Sequence, residues 1–498
     1  MTTRTAIFRA DASSRVGSGH VRRCLALAEA LAADGWSVTF ACRAGTKEAV
    51  PSLARSRFAY RLMPGDSNWG ASLDSLVADE CDLLVVDHYG LDARFERACR
   101  SWAKTILVID DLADRPHDCD ILLDQTPGRQ ASDYASLVPG HCTILAGSTF
   151  ALLDPRFRRA RERLGSRSDQ VRRVLVGFGG TDPAGATARV LEALAVAKLG
   201  AAVDVVLGTA NDDLGQIQQL AAQLDPPAVV HVSVDDMASM IAQADMAVGA
   251  GGVNALERCC LGVPSITITI ADNQRKLADE LARSGATENL GPVTGLSVGD
   301  VADAVVCLAS DPARRLAMRA AALAIVDGLG AARVRAACSP ALSAKDGRPV
   351  QLRLATMADA ELMFEWQSTP GIRAYSRNPD APEPAEHTRW MQNKLADPGC
   401  IFHVILHGGR PVGVLRLDWQ NDGAYEISIL VAAAAHGKNI GGAALELAKR
   451  LLPDAMIRAV IHADNVASIR MFERAGYRRT GEDWILAPLA PARSFALL

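Results

Sequence analysis

Short apolar segments alternate with longer amphipathic segments from Thr5 to about Ala336, and this alternation restricts the possible folds more than any other feature. The apolar segments are rich in β-branched residues, which is typical of parallel strands buried on both faces. Strands are predicted at 7–9, 37–41, 83–87, 105–110, 121–124 and 143–146, and then at 173–178, 202–207, 229–232, 246–250 and 265–269. Strands that alternate with helices in this way predict a doubly wound α/β architecture.

The strands form two series, which predicts two similar domains that face a common cleft. A polar, arginine-rich stretch at 156–170 interrupts the pattern between the two series. We therefore expect a first domain over residues 1–160 and a second over residues 161–338.

A short polar linker, 339–348, precedes a different pattern. Strands predicted at 402–407, 411–420 and 425–431 are separated by glycine-containing turns, as in an antiparallel meander. Helices are expected at 359–367, 387–396, 442–452 and 465–475, and further strands at 350–355, 457–462 and 477–486. Residues 349–498 are therefore expected to form a mixed α+β domain.

Composition excludes several classes of function. The 498 residues carry a net charge of −4, which argues against nucleic acid as a partner. No apolar run is long enough to span a membrane, and the first residues lack the apolar core of a signal peptide, so a cytoplasmic location is expected. The eleven cysteines form no C-x-x-C pair, so no metal site is expected.

Four polar turns follow predicted strands, and they span 17–20, 87–90, 177–182 and 249–257. Ligands of open α/β sheets bind beyond the carboxyl ends of strands, and glycine turns at helix N-termini hold phosphate groups. The first turn ends in His20, and histidine ordinarily changes charge near neutral pH, which suits proton transfer. Glycine also closes many ordinary connections, and a histidine there also serves to cap a helix. The residues alone leave both interpretations open.

Residues 5 to about 290 resemble a family of nucleotide-sugar hydrolases of pseudaminic acid biosynthesis, which act on UDP-2,4-diacetamido-2,4,6-trideoxy-β-L-altropyranose. The matching segments are 9–11, 17–20, 87–90, 179–182, 251–252 and 273–274. Glu257 and the segment 262–264 are similar to the nucleotide-binding segment of the related GT-B glycosyltransferases. The resemblance implies two Rossmann-like domains of GT-B type, with a UDP-linked amino-sugar between them. It also implies that water cleaves the glycosyl carbon–oxygen bond with inversion and without a metal.

By this resemblance, His20 is the general base that activates water, and Tyr89 and Asn273 lie around the sugar and the departing phosphate. The residues alone also allow Tyr89 to be an ordinary strand-end aromatic and Asn273 to be a helix cap. Asp11 either orients His20, binds the sugar or is a plain turn residue, and His88 competes for proton transfer. The resemblance assigns substrate binding to Asp11, Gly19, Gly179, Gly180, Thr181, Gly251, Gly252, Glu257 and Gln274. The helix after Gly180 is expected to place its N-terminus near the β-phosphate.

The C-terminal domain resembles GNAT-type N-acyltransferases over nearly all its length, through the loop 435–442 and the segment 465–477. The resemblance implies acetyl-CoA as co-substrate. It assigns acetyl-CoA binding to Gly437, Lys438, Asn439, Gly441, Gly442, Asn465 and Ser468.

This domain departs from the usual GNAT pattern at three positions. His436 stands where arginine or glutamine is typical, and Asn439 stands where glycine is typical, although asparagine tolerates a left-handed backbone. Phe472 replaces a tyrosine that donates a proton to the leaving thiolate in many relatives, so that acid is unassigned. Glu426 is either a catalytic base acting through water or a solvent-facing strand residue.

The first part of this domain also resembles the acetyltransferase of the same pathway. Together, the two resemblances imply a bifunctional enzyme that acetylates the 4-amino group of a UDP-amino-sugar and then hydrolyses UDP from the product. Three alternatives stay open: a GT-B glycosyltransferase with an accessory acyltransferase, a non-catalytic nucleotide-sugar-binding protein, and an acyltransferase domain that serves an unrelated amine. The acyl group and the oligomeric state are not predicted.

Overall fold

The computed structural model describes residues 3–13, 17–63, 81–165, 167–180, 182, 184–208, 211, 213–380 and 382–488. The chain separates into two compact units, Met1–Arg335 and Ala336–Leu498. Both predicted α/β domains lie within the first unit, so its division near residue 160 stays a prediction.

The first unit contains two sheets whose described pairings are parallel. The first sheet has the order β3-β2-β1-β4-β5-β6-β7, and the second has the order β10-β9-β8-β11-β12-β13. The strands of the first sheet are β1 (Thr5–Ala10), β2 (Ser37–Cys42), β3 (Ala59–Leu62), β4 (Cys81–Asp87), β5 (Ala103–Ile109), β6 (Ile121–Asp124) and β7 (Thr143–Ala146). Those of the second are β8 (Arg173–Gly177), β9 (Ala202–Leu207), β10 (Val229–Val232), β11 (Met246–Ala250), β12 (Ser265–Thr269) and β13 (Glu288–Pro292). Both orders are those of a doubly wound Rossmann sheet, which confirms the predicted architecture.

Helices cover these sheets because the strands are apolar on both faces. The helices of the first unit are Gly19–Ala33, Thr46–Ala49, Pro51–Ala54, Ala93–Cys99, Pro155–Glu162, Ala186–Ala197, Leu214–Ala222, Met237–Gln243, Val253–Cys260, Arg275–Arg283, Val298–Ser310 and Pro312–Ile325. A further helix, Gly330–Ala337, contains the boundary between the first unit and the second.

The strand order of each sheet reverses at one place, between β1 and β4 in the first sheet and between β8 and β11 in the second. Ligands of such sheets bind beyond the carboxyl ends of the strands at this reversal. All four polar turns of the sequence follow one of these four strands. The fold therefore gathers the predicted motifs at the two positions where a ligand is expected.

The second unit contains one mixed sheet of order β14-β15-β16-β17-β18-β20-β19. Its strands are β14 (Val350–Leu354), β15 (Cys400–His407), β16 (Arg410–Trp419), β17 (Ala424–Val431), β18 (Met456–Val460), β19 (Arg478–Thr480) and β20 (Asp483–Leu486). Its helices are Ala360–Ser368, Pro384–Ala396, Ile440–Leu451 and Val466–Arg474. Each strand from β14 to β17 pairs antiparallel with the next one along the chain, which confirms the predicted meander.

Three elements differ from the sequence prediction. β3 and β13 were not predicted. β3 is only four residues long and exposed at both ends, and β13 is at most half-buried and contains a single leucine among polar residues, glycine and proline. The segment predicted as one strand at 477–486 is instead the hairpin β19–β20, whose turn contains Gly481 at φ +64°. No helix among the described residues has both the length and the apolar character that crossing a membrane requires.

Candidate functional site

The first candidate site centres on His20, the second residue of the helix Gly19–Ala33, and on Asp87, the last residue of β4. His20 Nδ1 lies 2.5 Å from Asp87 Oδ1, and both side chains are buried. A carboxylate only accepts hydrogen bonds, so we assign the imidazole proton to Nδ1. Nε2 is then left to accept a proton.

Arg23 follows His20 by one helical turn and holds the same carboxylate. Its Nε and Nη2 donate to the two Asp87 oxygens, each at 2.7 Å, and its Nη1 donates to Asp111 at 2.9 Å. Burial by itself raises the pKa of Asp87, but the charges of Arg23 and His20 hold it well below the usual range. Asp87 therefore stays ionised and orients the imidazole of His20.

Tyr89 and Asn273 connect the two sheets beside His20. The rings of His20 and Tyr89 meet edge to face, with centroids 4.6 Å apart. Tyr89 Oη accepts from Asn273 Nδ2 at 3.4 Å and donates to Asp111 at 3.4 Å. Burial and the charge of Asp111 raise the pKa of Tyr89 to about 12, so this hydroxyl keeps its proton at neutral pH.

Asp11 lies on the other side of His20. Its carboxylate accepts from both terminal nitrogens of Arg9, at 2.7 and 2.8 Å, and faces His88 Nε2 at 3.3 Å. His88 Nδ1 accepts a backbone N–H, which leaves the His88 proton on Nε2. The carboxylate that contacts His20 is therefore Asp87 rather than Asp11, and His88 is engaged with Asp11.

These side chains face two connected cavities. The larger, of about 290 Å³, lies between the two sheets, and the smaller, of about 160 Å³, shares Ser13, His20 and Tyr89 with it. Of the residues assigned to catalysis or substrate binding in this unit, the larger cavity is lined by Gly19, His20, Tyr89, Gly179, Gly180, Gly252, Glu257, Asn273 and Gln274. Asp11 lines only the smaller cavity.

Two helix N-termini converge on the larger cavity. The helix Gly19–Ala33 begins after Ser18 and the helix Val253–Cys260 begins after Gly252, and no described side chain caps either start. A Cβ on Gly19 would lie 3.8 Å from the Val253 side chain, so the two starts lie close together. Their unpaired N–H groups and dipoles make this part of the cleft suitable for an anion.

The turn after β8 carries a cap for the helix that follows it. Asp182 accepts the backbone N–H groups of Ala186 and Thr187, at 3.1 and 2.7 Å, at the start of the helix Ala186–Ala197. The expectation that this N-terminus lies near the β-phosphate stays a prediction. Gly180 still reaches the cavity, where its backbone packs so closely on Gly208 that a Cβ on Gly208 would meet it at 2.2 Å.

Gly251 lines neither cavity; it is buried, and a Cβ there would lie 3.0 Å from that of Ala278. Gln274 accepts the N–H of Ile270 at 3.2 Å and packs against Gly252. Thr181 lies outside the described residues.

Glu257 carries an incompletely satisfied carboxyl group on the cavity wall. Its Oε2 is buried without a hydrogen-bond partner among the described residues. Burial raises the pKa of Glu257 to about 7, although the charges of Arg22 and Arg258 oppose this effect. A ligand hydroxyl would satisfy this oxygen.

The second candidate site lies in the second unit, where β17 and β18 part. Their parallel pairing runs from Ala424 to Glu426, while β17 continues to Val431. The following loop includes Gly437 at φ +77° and Asn439 at φ +62°, and leads into the helix Ile440–Leu451, which no described side chain caps. Asn439, which stands where glycine is typical, therefore adopts the left-handed backbone conformation expected at this position.

Small residues shape this loop. A Cβ on Gly442 would lie 2.6 Å from Asn439 Oδ1, and one on Gly441 would lie 2.5 Å from Met471 Sδ. The uncapped helix start and the glycine cradle fit a pyrophosphate, as acetyl-CoA carries. Lys438 is exposed beside them.

Other predicted residues of this unit lie nearby. Glu426 is half-buried and pairs with Arg377 at 2.9 Å. Asn465 Oδ1 accepts the N–H of Ser468 at 3.1 Å and so caps the helix Val466–Arg474. Phe472 is buried against the ring of Tyr477, at 4.8 Å between centroids.

Sequence reasoning missed Asp87 as the partner of His20, and it missed Arg23 and Asp111 entirely. The spacing of His20 and Arg23, three residues apart on a helix, was the available signal for Arg23. Within the part of the chain that is described, no group of three histidine, cysteine or acidic side chains is arranged to hold a metal ion.

Two family models match the chain. Residues 174–329 match the glycosyltransferase family 28 C-terminal domain, and residues 350–478 match the acetyltransferase (GNAT) domain.

Three relatives extend these matches. The UDP-2,4-diacetamido-2,4,6-trideoxy-β-L-altropyranose hydrolase of Campylobacter jejuni is 27% identical over 282 residues, covering 56% of this chain and 96% of that protein. An uncharacterized protein of Methanocaldococcus jannaschii is 23% identical over 495 residues, or 95% of this chain and 98% of that protein. A UDP-N-acetylglucosamine–N-acetylmuramyl-(pentapeptide) pyrophosphoryl-undecaprenol N-acetylglucosamine transferase of Sorangium cellulosum is 36% identical over 146 residues, or 28% of this chain and 35% of that protein. The chain therefore joins an N-terminal part homologous to a nucleotide-sugar hydrolase to a C-terminal GNAT acetyltransferase domain.

Proposed function

We propose that this chain is a bifunctional enzyme of pseudaminic acid biosynthesis. Its GNAT domain transfers an acetyl group from acetyl-CoA to the 4-amino group of a UDP-linked 2-acetamido-4-amino sugar. Its first unit then hydrolyses UDP from the resulting UDP-2,4-diacetamido-2,4,6-trideoxy-β-L-altropyranose, with inversion at the anomeric carbon. The homology to the Campylobacter jejuni hydrolase and the match to the GNAT model support this assignment.

The observation that carries the hydrolase proposal is the His20–Asp87 pair at the wall of the cleft. With its proton on Nδ1, His20 accepts a proton from water at Nε2 while the water oxygen attacks the anomeric carbon. The bond from that carbon to the β-phosphate oxygen breaks, and its electron pair stays on UDP. Attack opposite the departing UDP inverts the anomeric configuration.

The second unit supports acetyl transfer through its loop and Glu426. The glycine-rich loop up to Gly442 would hold the pyrophosphate of acetyl-CoA, which supplies the acetyl group when bound. Glu426 lies where β17 and β18 part, which suits removal of a proton from the acceptor amine through water. Because Glu426 pairs with Arg377, acting as a base requires this ion pair to open.

The test is to give the purified chain the 4-amino UDP-sugar and acetyl-CoA in water enriched in ¹⁸O. Mass spectrometry is expected to find UDP without the label and a free diacetamido sugar with one labelled oxygen. Label in UDP instead would contradict attack at carbon. The His20→Asn variant is expected to stop at the acetylated UDP-sugar. His141→Asn is the matched control, because this histidine is exposed and outside both cavities.

A glycosyltransferase is the second candidate, and the 36% identity to the Sorangium cellulosum transferase over 146 residues favours it. Such an enzyme needs a sugar or lipid acceptor. UDP release from the UDP-sugar in water alone would exclude it, and release only after an acceptor is added would exclude the hydrolase.

A further inference from the structure

Two adjacent arginines on the helix Gly19–Ala33 lie in different surroundings. Arg23 is buried and bonded to Asp87 and Asp111. Arg22 is exposed, lines the cleft, and has no hydrogen bond or ion pair to another described side chain. The organisation of His20 therefore uses Arg23, whereas the charge of Arg22 lies close enough to Glu257 to oppose the rise in the pKa of that carboxyl group.

Helix geometry directs Arg22 toward the anion-binding part of the cleft. Arg22 follows Gly19 by three residues and Ser18 by four, so all three lie on one face of the helix. Side chains on a helix also lean toward its N-terminus. A Cβ on Gly19 would lie 3.8 Å from the Val253 side chain, and Arg22 lines the same cleft, so Arg22 lies near both uncapped N-termini.

The other cations of the cleft are less suited to this place. Arg23 is neutralised by two carboxylates, and Arg258 is buried and donates to the carbonyl of Ala250 at 2.9 Å. Lys276 is exposed on the opposite wall of the cleft, on the helix Arg275–Arg283. Arg22 and Lys276 are thus the two candidates among the described residues for neutralising a diphosphate.

We propose that Arg22 binds the β-phosphate of UDP and stabilises it as the leaving group. This inference rests on the proposed hydrolase function. As the bond between the anomeric carbon and the β-phosphate oxygen breaks, the electron pair and one negative charge stay on that oxygen. The guanidinium of Arg22 donates to the phosphate while His20 takes the proton of the attacking water. Arg22 is then a catalytic residue that acts on the leaving group, whereas Arg23 positions the base.

The experiment measures the binding of UDP and of UMP to the full chain by calorimetry. We compare the unsubstituted protein with Arg22→Gln, Arg22→Lys, Lys276→Gln and Arg97→Gln, the last being an exposed arginine outside both cavities. Arg22→Gln is expected to weaken UDP binding about 10- to 100-fold, as expected for loss of a charge-assisted hydrogen bond. UMP binding is expected to change less than about twofold, because UMP lacks the β-phosphate. Arg22→Lys keeps part of the affinity, and Arg97→Gln keeps all of it.

Three results would overturn the proposal. They are unchanged UDP binding in Arg22→Gln, equal losses for UDP and UMP, and a UDP-selective loss in Lys276→Gln alone. Acetyl-CoA binding by the same samples shows that the second unit of each variant is folded. The thermal midpoint of the first unit shows whether that unit is folded as well.

Hydrolysis is scored separately. A chain that binds UDP selectively through Arg22 but releases none from the UDP-sugar would refute the hydrolase and keep the β-phosphate contact. A chain that hydrolyses the sugar with normal kcat in Arg22→Gln would refute only the role of Arg22. A chain that binds no UDP refutes both.

Discussion

Replacing Glu257 by glutamine is expected to stabilise the first unit at alkaline pH while it weakens nucleotide binding. The carboxyl lies on the wall of the cleft with Oε2 buried and without a described partner. Burial raises its pKa from 4.5 to about 7. The folded protein therefore binds this proton more tightly than the unfolded chain does, and ionising Glu257 costs folding free energy.

The sign of the pH dependence follows from that rise. The contribution of Glu257 to stability is fully present below about pH 4.5 and is lost as the pH rises through about 7. The rise in pKa corresponds to about 3 kcal/mol as an upper bound. Because Glu257 is half-buried, solvent screening reduces the expected effect to about 1–2 kcal/mol. Glu257→Gln removes the ionisation and so removes this cost.

The assay is urea unfolding of the full chain at pH 5 and pH 8, following the transition whose midpoint UDP raises. The variant is expected to exceed the stability of the unsubstituted protein by at most about 0.5 kcal/mol at pH 5 and by about 1–2 kcal/mol at pH 8. Glu192→Gln, an exposed glutamate on the helix Ala186–Ala197, is the control and is expected to show no such pH dependence. A difference that is the same at both pH values would refute the reasoning.

Three further outcomes are expected. Asp87→Asn leaves buried Arg23 and His20 without their carboxylate, so the thermal midpoint of the first unit falls with a loss of about 3–5 kcal/mol, while acetyl-CoA binding is unchanged. Asn439→Ala keeps the Cβ but removes the side-chain amide that makes φ +62° tolerable. Chemical unfolding is therefore expected to detect a loss of about 1 kcal/mol, and acetyl-CoA is expected to bind more weakly. Asn439→Gly is expected to preserve both properties, and a loss in this variant as large as in alanine would contradict the backbone argument. Glu426→Gln is expected to lower kcat for acetyl transfer about 100-fold or more with an unchanged Kd for acetyl-CoA, and a normal kcat would assign this glutamate to the surface.

Local sequence predicted most of the elements that form the two sites. β-branched apolar segments specified the parallel strands, since burial on both faces requires apolar residues throughout. Glycines and polar residues after those strands marked the ligand-binding turns, because the backbone conformations needed there are properties of individual residues. Edge strands such as β3 escaped this reasoning because a strand of four exposed or half-exposed residues is too short to give a recognisable pattern.

By itself, the sequence thus determined the doubly wound fold, the mixed C-terminal sheet and the turns that carry His20 and Asn439. Only the tertiary structure decided which side chains act together. His20 meets Asp87, 67 residues away, because β1 and β4 are neighbours at the reversal of strand order. Asp182 caps the helix Ala186–Ala197, which follows it in the chain. Arg23 binds Asp87 while Arg22 lines the cleft, because adjacent helical residues point in different directions. Contacts of this kind depend on the packing of distant segments, which local patterns do not encode.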